Sequence, residues 1–195
     1  MKFFKLNTTH KTLFSLAICL GLLACGSKGS QFAILPISQR FGNSGNINAK
    51  VDVLWVIDNS GSMLTKQQNL ANSFGSFAQI FQDKGFDFHM AIATTDTRSI
   101  VAGGQAGIFQ GIPNVLTATT PNFVNTFKAN VVVGSFGDPA AKALDAIELS
   151  LDPSLTSTSN SGFLRNDAYL AVVTLSDADD DDSLHTVAHV NNFLS

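Results

Sequence analysis

Val51-Asp52-Val53-Leu54-Trp55-Val56-Ile57-Asp58-Asn59-Ser60-Gly61-Ser62-Met63 is the stretch on which the reading of this chain turns. Its run from Val51 to Ile57 is β-branched and aromatic, too short for a typical helix, and halted by a turn signal. That predicts a strand buried on both faces, as in a parallel sheet. Asp58, Ser60 and Ser62 then fall in the loop at the strand's carboxyl end, where open α/β sheets place their ligands. Three oxygen-bearing side chains at alternate positions can converge on a hard cation. The same residues can equally form a turn at Asn59-Ser60-Gly61, with Ser62 capping the next helix. Spacing alone leaves the two readings even.

Working outward, residues 63–83 repeat apolar side chains at three- and four-residue spacing (Leu64, Leu70, Phe74, Phe77, Phe81), the pattern of an amphipathic helix. Lys84-Gly85 ends it, with glycine suited to a left-handed cap. Phe86 to Thr94 alternates apolar and polar residues and predicts a second strand, with His89 on its polar side. That strand stops in Thr94-Thr95-Asp96-Thr97. Residues 98–118 carry glycines at 103, 104, 107 and 111 and read as a hairpin or irregular excursion. No phosphate-binding fingerprint is completed there. Thr120-Pro121 predicts a helix start. Asp138-Pro139 predicts another, with Asp138 as N-cap of a helix from Ala140 to Leu151. Ala168 to Leu175 is the third apolar strand, and it too stops at a hydroxyl and an acid, Ser176-Asp177. The acidic run 179–182 reads as a solvated loop, with a Ca²⁺ site as its alternative. A helical pattern over 183–194 follows. Strands of buried type alternating with helices predict an α/β fold: a Rossmann-like, doubly wound, mostly parallel sheet with helices on both faces.

The first 49 residues read differently. Lys2, Lys5 and Lys11 precede an apolar segment, Leu13 to Ala24, too short to span a bilayer comfortably; this is the build of a secretory signal. It ends in Leu22-Leu23-Ala24-Cys25-Gly26, which resembles a bacterial lipobox with Cys25 as the lipidated residue. The expected organisation is a signal peptide over 1–25, a flexible Gly/Ser/Asn-rich tether over 26–49 and a domain over 50–195. With Cys19 removed and Cys25 lipidated, no disulfide is available. Removing residues 1–25 would leave nine basic against fifteen acidic residues, a formal charge of −6, which argues against nucleic acid as a partner. Gly26 after the cysteine is similar to lipoproteins sorted to the outer membrane, for a Gram-negative host. The expected location is the cell envelope, membrane-bound through lipid on Cys25, facing either the periplasm or the surface.

Asp58-Asn59-Ser60-Gly61-Ser62 after a buried strand resembles the D-x-S-x-S signature of von Willebrand factor type A domains, in which it forms a metal-ion-dependent adhesion site. The resemblance covers roughly residues 50–195. It implies Mg²⁺ or Mn²⁺, with Ca²⁺ less suited, held directly by the hydroxyls of Ser60 and Ser62. Asp58 would act through water and hydrogen bonds to those hydroxyls. The family's next ligand, a threonine, aligns with Asp138, a departure that leaves this residue as ligand or helix cap. Its last acidic position aligns with Asp177. Neutral hydroxyl ligands leave the ion under-neutralised and open to a carboxylate from a partner protein, so the implied role is metal-dependent protein–protein contact. The alternative is an ion that only stabilises a structural or assembly domain. Members of the family carry further strands and helices after the position of Asp177, so a chain ending at Ser195 is expected to be an incomplete reading of a longer one.

Enzyme readings are weaker. Ser60 stands where a haloacid-dehalogenase-like phosphatase needs a second Asp. Asn59-Ser60-Gly61-Ser62 lacks the first glycine of a serine-hydrolase elbow. His185-Thr186-Val187-Ala188-His189 has zinc-protease spacing, but Thr186 occupies the place of the general-base Glu. These exclusions favour a binding module without catalytic residues.

Overall fold

The computed structural model describes residues 50–180 and 183–194. The expectations for the signal peptide, Cys25 and the tether lie outside these residues. Among the described residues no helix is long and apolar enough to cross a membrane.

Four strands form one sheet in the order β3-β2-β1-β4. β1 (Lys50–Ile57) lies between β2 (Asp87–Thr94) and β4 (Tyr169–Leu175) and is parallel to both. The short β3 (Val115–Thr117) pairs antiparallel with β2, so the glycine-rich excursion does return as a hairpin-like edge. The fold is α/β, with a mixed, mostly parallel sheet.

Alternation along β1 sends Val53, Trp55 and Ile57 to one face and Leu54 and Val56 to the other. The first face is covered by α1 (Leu64–Lys84) and α2 (Phe123–Asn130), the second by α3 (Ala143–Leu151) and α5 (Val187–Phe193). On the α1 side the core is aromatic. Trp55 meets Phe74, Phe77 and Phe127 edge-on, and Phe74 stacks on Phe127. On the α3 side β2 presents only Ala91 and Ala93, whose small side chains let the helix approach closely. β4 is the outer strand of the sheet, and its residues are half-buried or exposed where β1 is buried.

Several element boundaries differ from expectation. α1 ends as predicted: Gly85 adopts φ +63° and the Phe86 N–H reaches back to the Phe81 carbonyl (3.3 Å), a Schellman closure. α2 starts at Phe123, because the Thr120 hydroxyl instead accepts from the Thr117 N–H (2.8 Å) and closes the turn after β3. α3 starts at Ala143, so Asp138 is not its N-cap. The free N–H groups at its start are met from far along the chain: Leu144 N–H donates to Asp180 Oδ2 (2.8 Å) and Asp145 N–H to Ser183 Oγ (3.4 Å). Part of the acidic run is thus a helix cap rather than solvated loop. The polar connection after Leu151 contains a short helix, α4 (Pro153–Thr156), capped by Asp152. The helical pattern near the end of the chain forms only over 187–193, with Thr186 as N-cap.

At the amino ends of the strands lies an ion network that the sequence pattern does not announce. Asp52 is fully buried within β1. It accepts from the Arg165 backbone N–H (2.7 Å) and Arg165 Nε (2.8 Å), while Arg165 Nη1 donates to Asp87 Oδ1 (2.7 Å). One guanidinium thereby fastens the segment before β4 to both β1 and β2. Arg165→Ala strands a buried carboxylate. We expect a loss of about 3 kcal/mol in urea unfolding, the low end for a broken buried pair, because the backbone N–H of residue 165 still donates to Asp52.

Candidate functional site

The register of the sheet builds the site. Ile57 lies opposite both Thr94 and Leu175, so the chain leaves β1, β2 and β4 side by side at one edge, at residues 58, 95 and 176. Two backbone bonds lock those exits together: Asp58 N–H donates to the Leu175 carbonyl (2.9 Å) and Thr95 N–H to the Ile57 carbonyl (3.1 Å). A fourth loop joins them. Gly137 N–H donates to the Asn59 carbonyl (2.8 Å), and buried Gln67 of α1 donates through Nε2 to the carbonyls of Asp58 (2.9 Å) and Gly134 (2.8 Å). Gly137 is required where it lies, since a Cβ there would sit 2.0 Å from Asn59 Oδ1.

Within this frame Asp58 is buried and fixed at both oxygens. Oδ1 accepts from the Ser60 N–H (2.8 Å) and Oδ2 from Ser176 Oγ (2.8 Å). The hydroxyl on Asp58 is therefore that of Ser176, a residue the motif does not contain. Ser62 Oγ donates to Asp177 Oδ1 (3.1 Å), bridging the loops after β1 and β4. The structure thus joins Asp58 to the Ser60 backbone, and Ser62 to Asp177, within one cluster of loops. Asp138 is directed elsewhere: its Oδ1 accepts from the Ala140 N–H (3.0 Å), and its Oδ2 stands 3.6 Å from Arg98 Nε. Arg98 in turn holds the buried Asp96 through Nε (2.8 Å) and Nη2 (2.6 Å). Burial works against the Asp96 charge, but the Arg98 side-chain and backbone hydrogen bonds outweigh it and keep the carboxyl below its ordinary range.

Sequence reasoning also missed Lys66. One helical turn after Ser62, its ammonium donates to Asp177 Oδ2 (2.6 Å). Hydrogen bonds from Lys66 first and Ser62 second hold the Asp177 carboxyl below its usual range. The only available cue was a basic residue in the first turn of α1, too common to single out.

The rim combines polar and apolar features. Asn59 Oδ1 and Thr95 Oγ1 are buried without a hydrogen-bond partner. A cavity of about 210 Å³ opens beside Asn59, lined also by Asp96, Gln105, Ser135 and Phe136 among others, and Phe136 is 95% exposed. Comparison with protein-family models, with characterised proteins and with solved structures finds no match to this chain.

Chemically, the donor set is carboxylate and hydroxyl oxygen, which suits a hard divalent cation. The fit is supported by the unsatisfied buried oxygen of Asn59 at the cavity, which costs about 1–3 kcal/mol unless an ion or water meets it. Lys66 opposes such an ion, because it places a fixed positive charge on one of the candidate ligands. Lys66→Met should therefore tighten Mn²⁺ binding by about tenfold, read by calorimetry. Asp177 has a depressed pKa in the folded state, so the stabilisation from its Lys66 pairing is present above about pH 5 and is lost as pH falls below about 4. Acid unfolding of Lys66→Met should lack that component.

Proposed function

We propose that residues 50–195 form a von Willebrand factor A-like binding module that holds Mg²⁺ or Mn²⁺ at the loop Asp58 to Ser62 and uses the ion to engage an acidic side chain of a partner protein. The observation that carries this reading is the Ser62 to Asp177 hydrogen bond (3.1 Å), made between loops at the carboxyl ends of adjacent parallel strands. It gathers the second hydroxyl of the motif and the acid after β4 at the edge where such sheets bind ligands. Ser60, Ser62 and Asp177 would hold the ion, and Asp58 would orient the loop from beneath through its bonds to the Ser60 amide and Ser176. A ligand set rich in neutral hydroxyls leaves the ion electrophilic and able to accept an outside carboxylate. Exposed Phe136, on the loop bonded to Asn59, offers the partner an apolar contact beside it.

The test is a thermal melt of the full chain in Mg²⁺, Mn²⁺, Ca²⁺ or chelator. Mg²⁺ or Mn²⁺ at 100 times the dissociation constant should add about 2.7 kcal/mol of stability, and Asp177→Ala should remove that gain. Superimposable melts in all four conditions would falsify the metal site.

Attachment to the envelope through lipid on Cys25 belongs to the same proposal and rests on the sequence Leu22-Leu23-Ala24-Cys25-Gly26. The natural chain should fractionate with membranes and the Cys25→Ser chain with soluble proteins. A Cys25→Ser chain that stays with membranes would remove the lipid anchor.

A further inference from the structure

A second group of ligand-type side chains, separate in sequence from that loop cluster, comes together between α3 and α5. His185 precedes the cap of α5, and His189 lies in its first turn. Their rings stack in parallel with centroids 4.4 Å apart. Both aim a nitrogen at the same carboxylate oxygen of α3: His189 Nε2 is 2.8 Å and His185 Nδ1 3.7 Å from Glu148 Oε2. One ligand atom from each of Glu148, His185 and His189 lies within 4.8 Å of the others.

We propose that Glu148, His185 and His189 form a site for a borderline-soft divalent ion, Zn²⁺ by chemistry. Two imidazoles and one carboxylate are a donor set that favours Zn²⁺ over Mg²⁺. Tetrahedral bonds of 2.0–2.1 Å require ligand atoms about 3.3 Å apart. The 2.8 and 3.7 Å separations bracket that value, so the two nitrogen–Glu148 distances need shifts of only about half an ångström to admit the ion. Each ring would ligate through the lone pair of one nitrogen and keep its single proton on the other.

Two features argue that the group is built rather than incidental. Asp145, one turn before Glu148, fixes the backbone that carries His185: its Oδ1 accepts from the His185 N–H (3.1 Å) and its Oδ2 from the Leu184 N–H (3.0 Å). Asp145 Oδ1 also lies 2.9 Å from Nδ1, the ring nitrogen that faces Glu148. The caps from Asp180 and Ser183 to the start of α3 then hold the same segment in register along the helix. The cluster is partly open to solvent, with side-chain exposures of 28% at Glu148, 32% at His185 and 51% at His189. That leaves a fourth coordination position for water or an outside ligand. The ion would staple α5 to α3 independently of any ion at Asp58 to Ser62.

The experiment is a Zn²⁺ titration of the full chain carrying Cys19→Ser and Cys25→Ser, so that no thiol competes, in millimolar Mg²⁺ to fill any oxygen site. One equivalent of Zn²⁺ should bind, and it should shift the imidazole ¹⁵N resonances of His185 and His189 while leaving His89 in place. His185→Ala and His189→Ala should each weaken binding at least about 100-fold. Absence of Zn²⁺ binding by the folded chain would overturn the proposal. So would binding that survives in His185→Ala/His189→Ala, or that leaves both ¹⁵N resonances unmoved. The resonances decide the matter even where a variant fails to fold.

Discussion

The constraint on which the structure depends is that β1 is hydrogen-bonded on both edges and covered on both faces. A strand in that position can carry no charged side chain that lacks a partner. Its one internal acid, Asp52, is met by Arg165, and its next acid comes only where the ladder ends. The last two ladder bonds, Asp58 N–H to Leu175 and Thr95 N–H to Ile57, fix three exits at the same height. The oxygens of Asp58, Ser62 and Asp177 meet because their backbones have no freedom to leave the sheet at different levels. Gln67 extends this rigidity to the loop at 134–137 from the first turn of α1.

Charge is distributed with the same economy. Two of the buried carboxylates find positive partners in arginines, each of which also reaches a less buried acid: Arg165 pairs with Asp52 and Asp87, Arg98 with Asp96 and Asp138. Both use the planar guanidinium to reach two acceptors at once, which an ammonium cannot match. Other acids are matched by helix starts, Asp180 at α3 and Asp152 at α4, where backbone N–H groups supply the positive end of a dipole.

What could be read in the sequence follows from this division. β1, β2 and α1 with its Gly85 cap were legible because their signal is local: apolar periodicity, then a residue that breaks it. The edge of the sheet carrying Asp58, Ser60, Ser62 and Asp177 was legible for the same reason, as each strand stops on an acid or hydroxyl. The extent of α3 was not. Asp138-Pro139 is a sound local start signal, but the helix begins five residues later, where Asp180 and Ser183 supply acceptors. β3 buries only Leu116 among its three residues, too little to leave a periodic trace. Asp52 with Arg165, and Lys66 with Asp177, each pair across more than a hundred residues; only the fold brings them together.

The position of Asp138 bears most directly on the proposed role. A second carboxylate beside Asp177 would neutralise a divalent ion and reduce its attraction for an outside acid. Here Arg98 stands 3.6 Å from one oxygen of Asp138, and the Ala140 N–H takes the other, so the charge of that carboxylate is largely spent within its own loop. Asp58 is likewise occupied at both oxygens from below. An ion at the mouth would then face the hydroxyls of Ser60 and Ser62 and the single acid Asp177. Its remaining positive charge would be directed outward, past Phe136, toward solvent and whatever carboxylate a partner presents. Displacing the Lys66 ammonium from Asp177 is the cost of admitting the ion, and it makes a divalent cation a better occupant than a monovalent one, because only the former brings more charge than it removes.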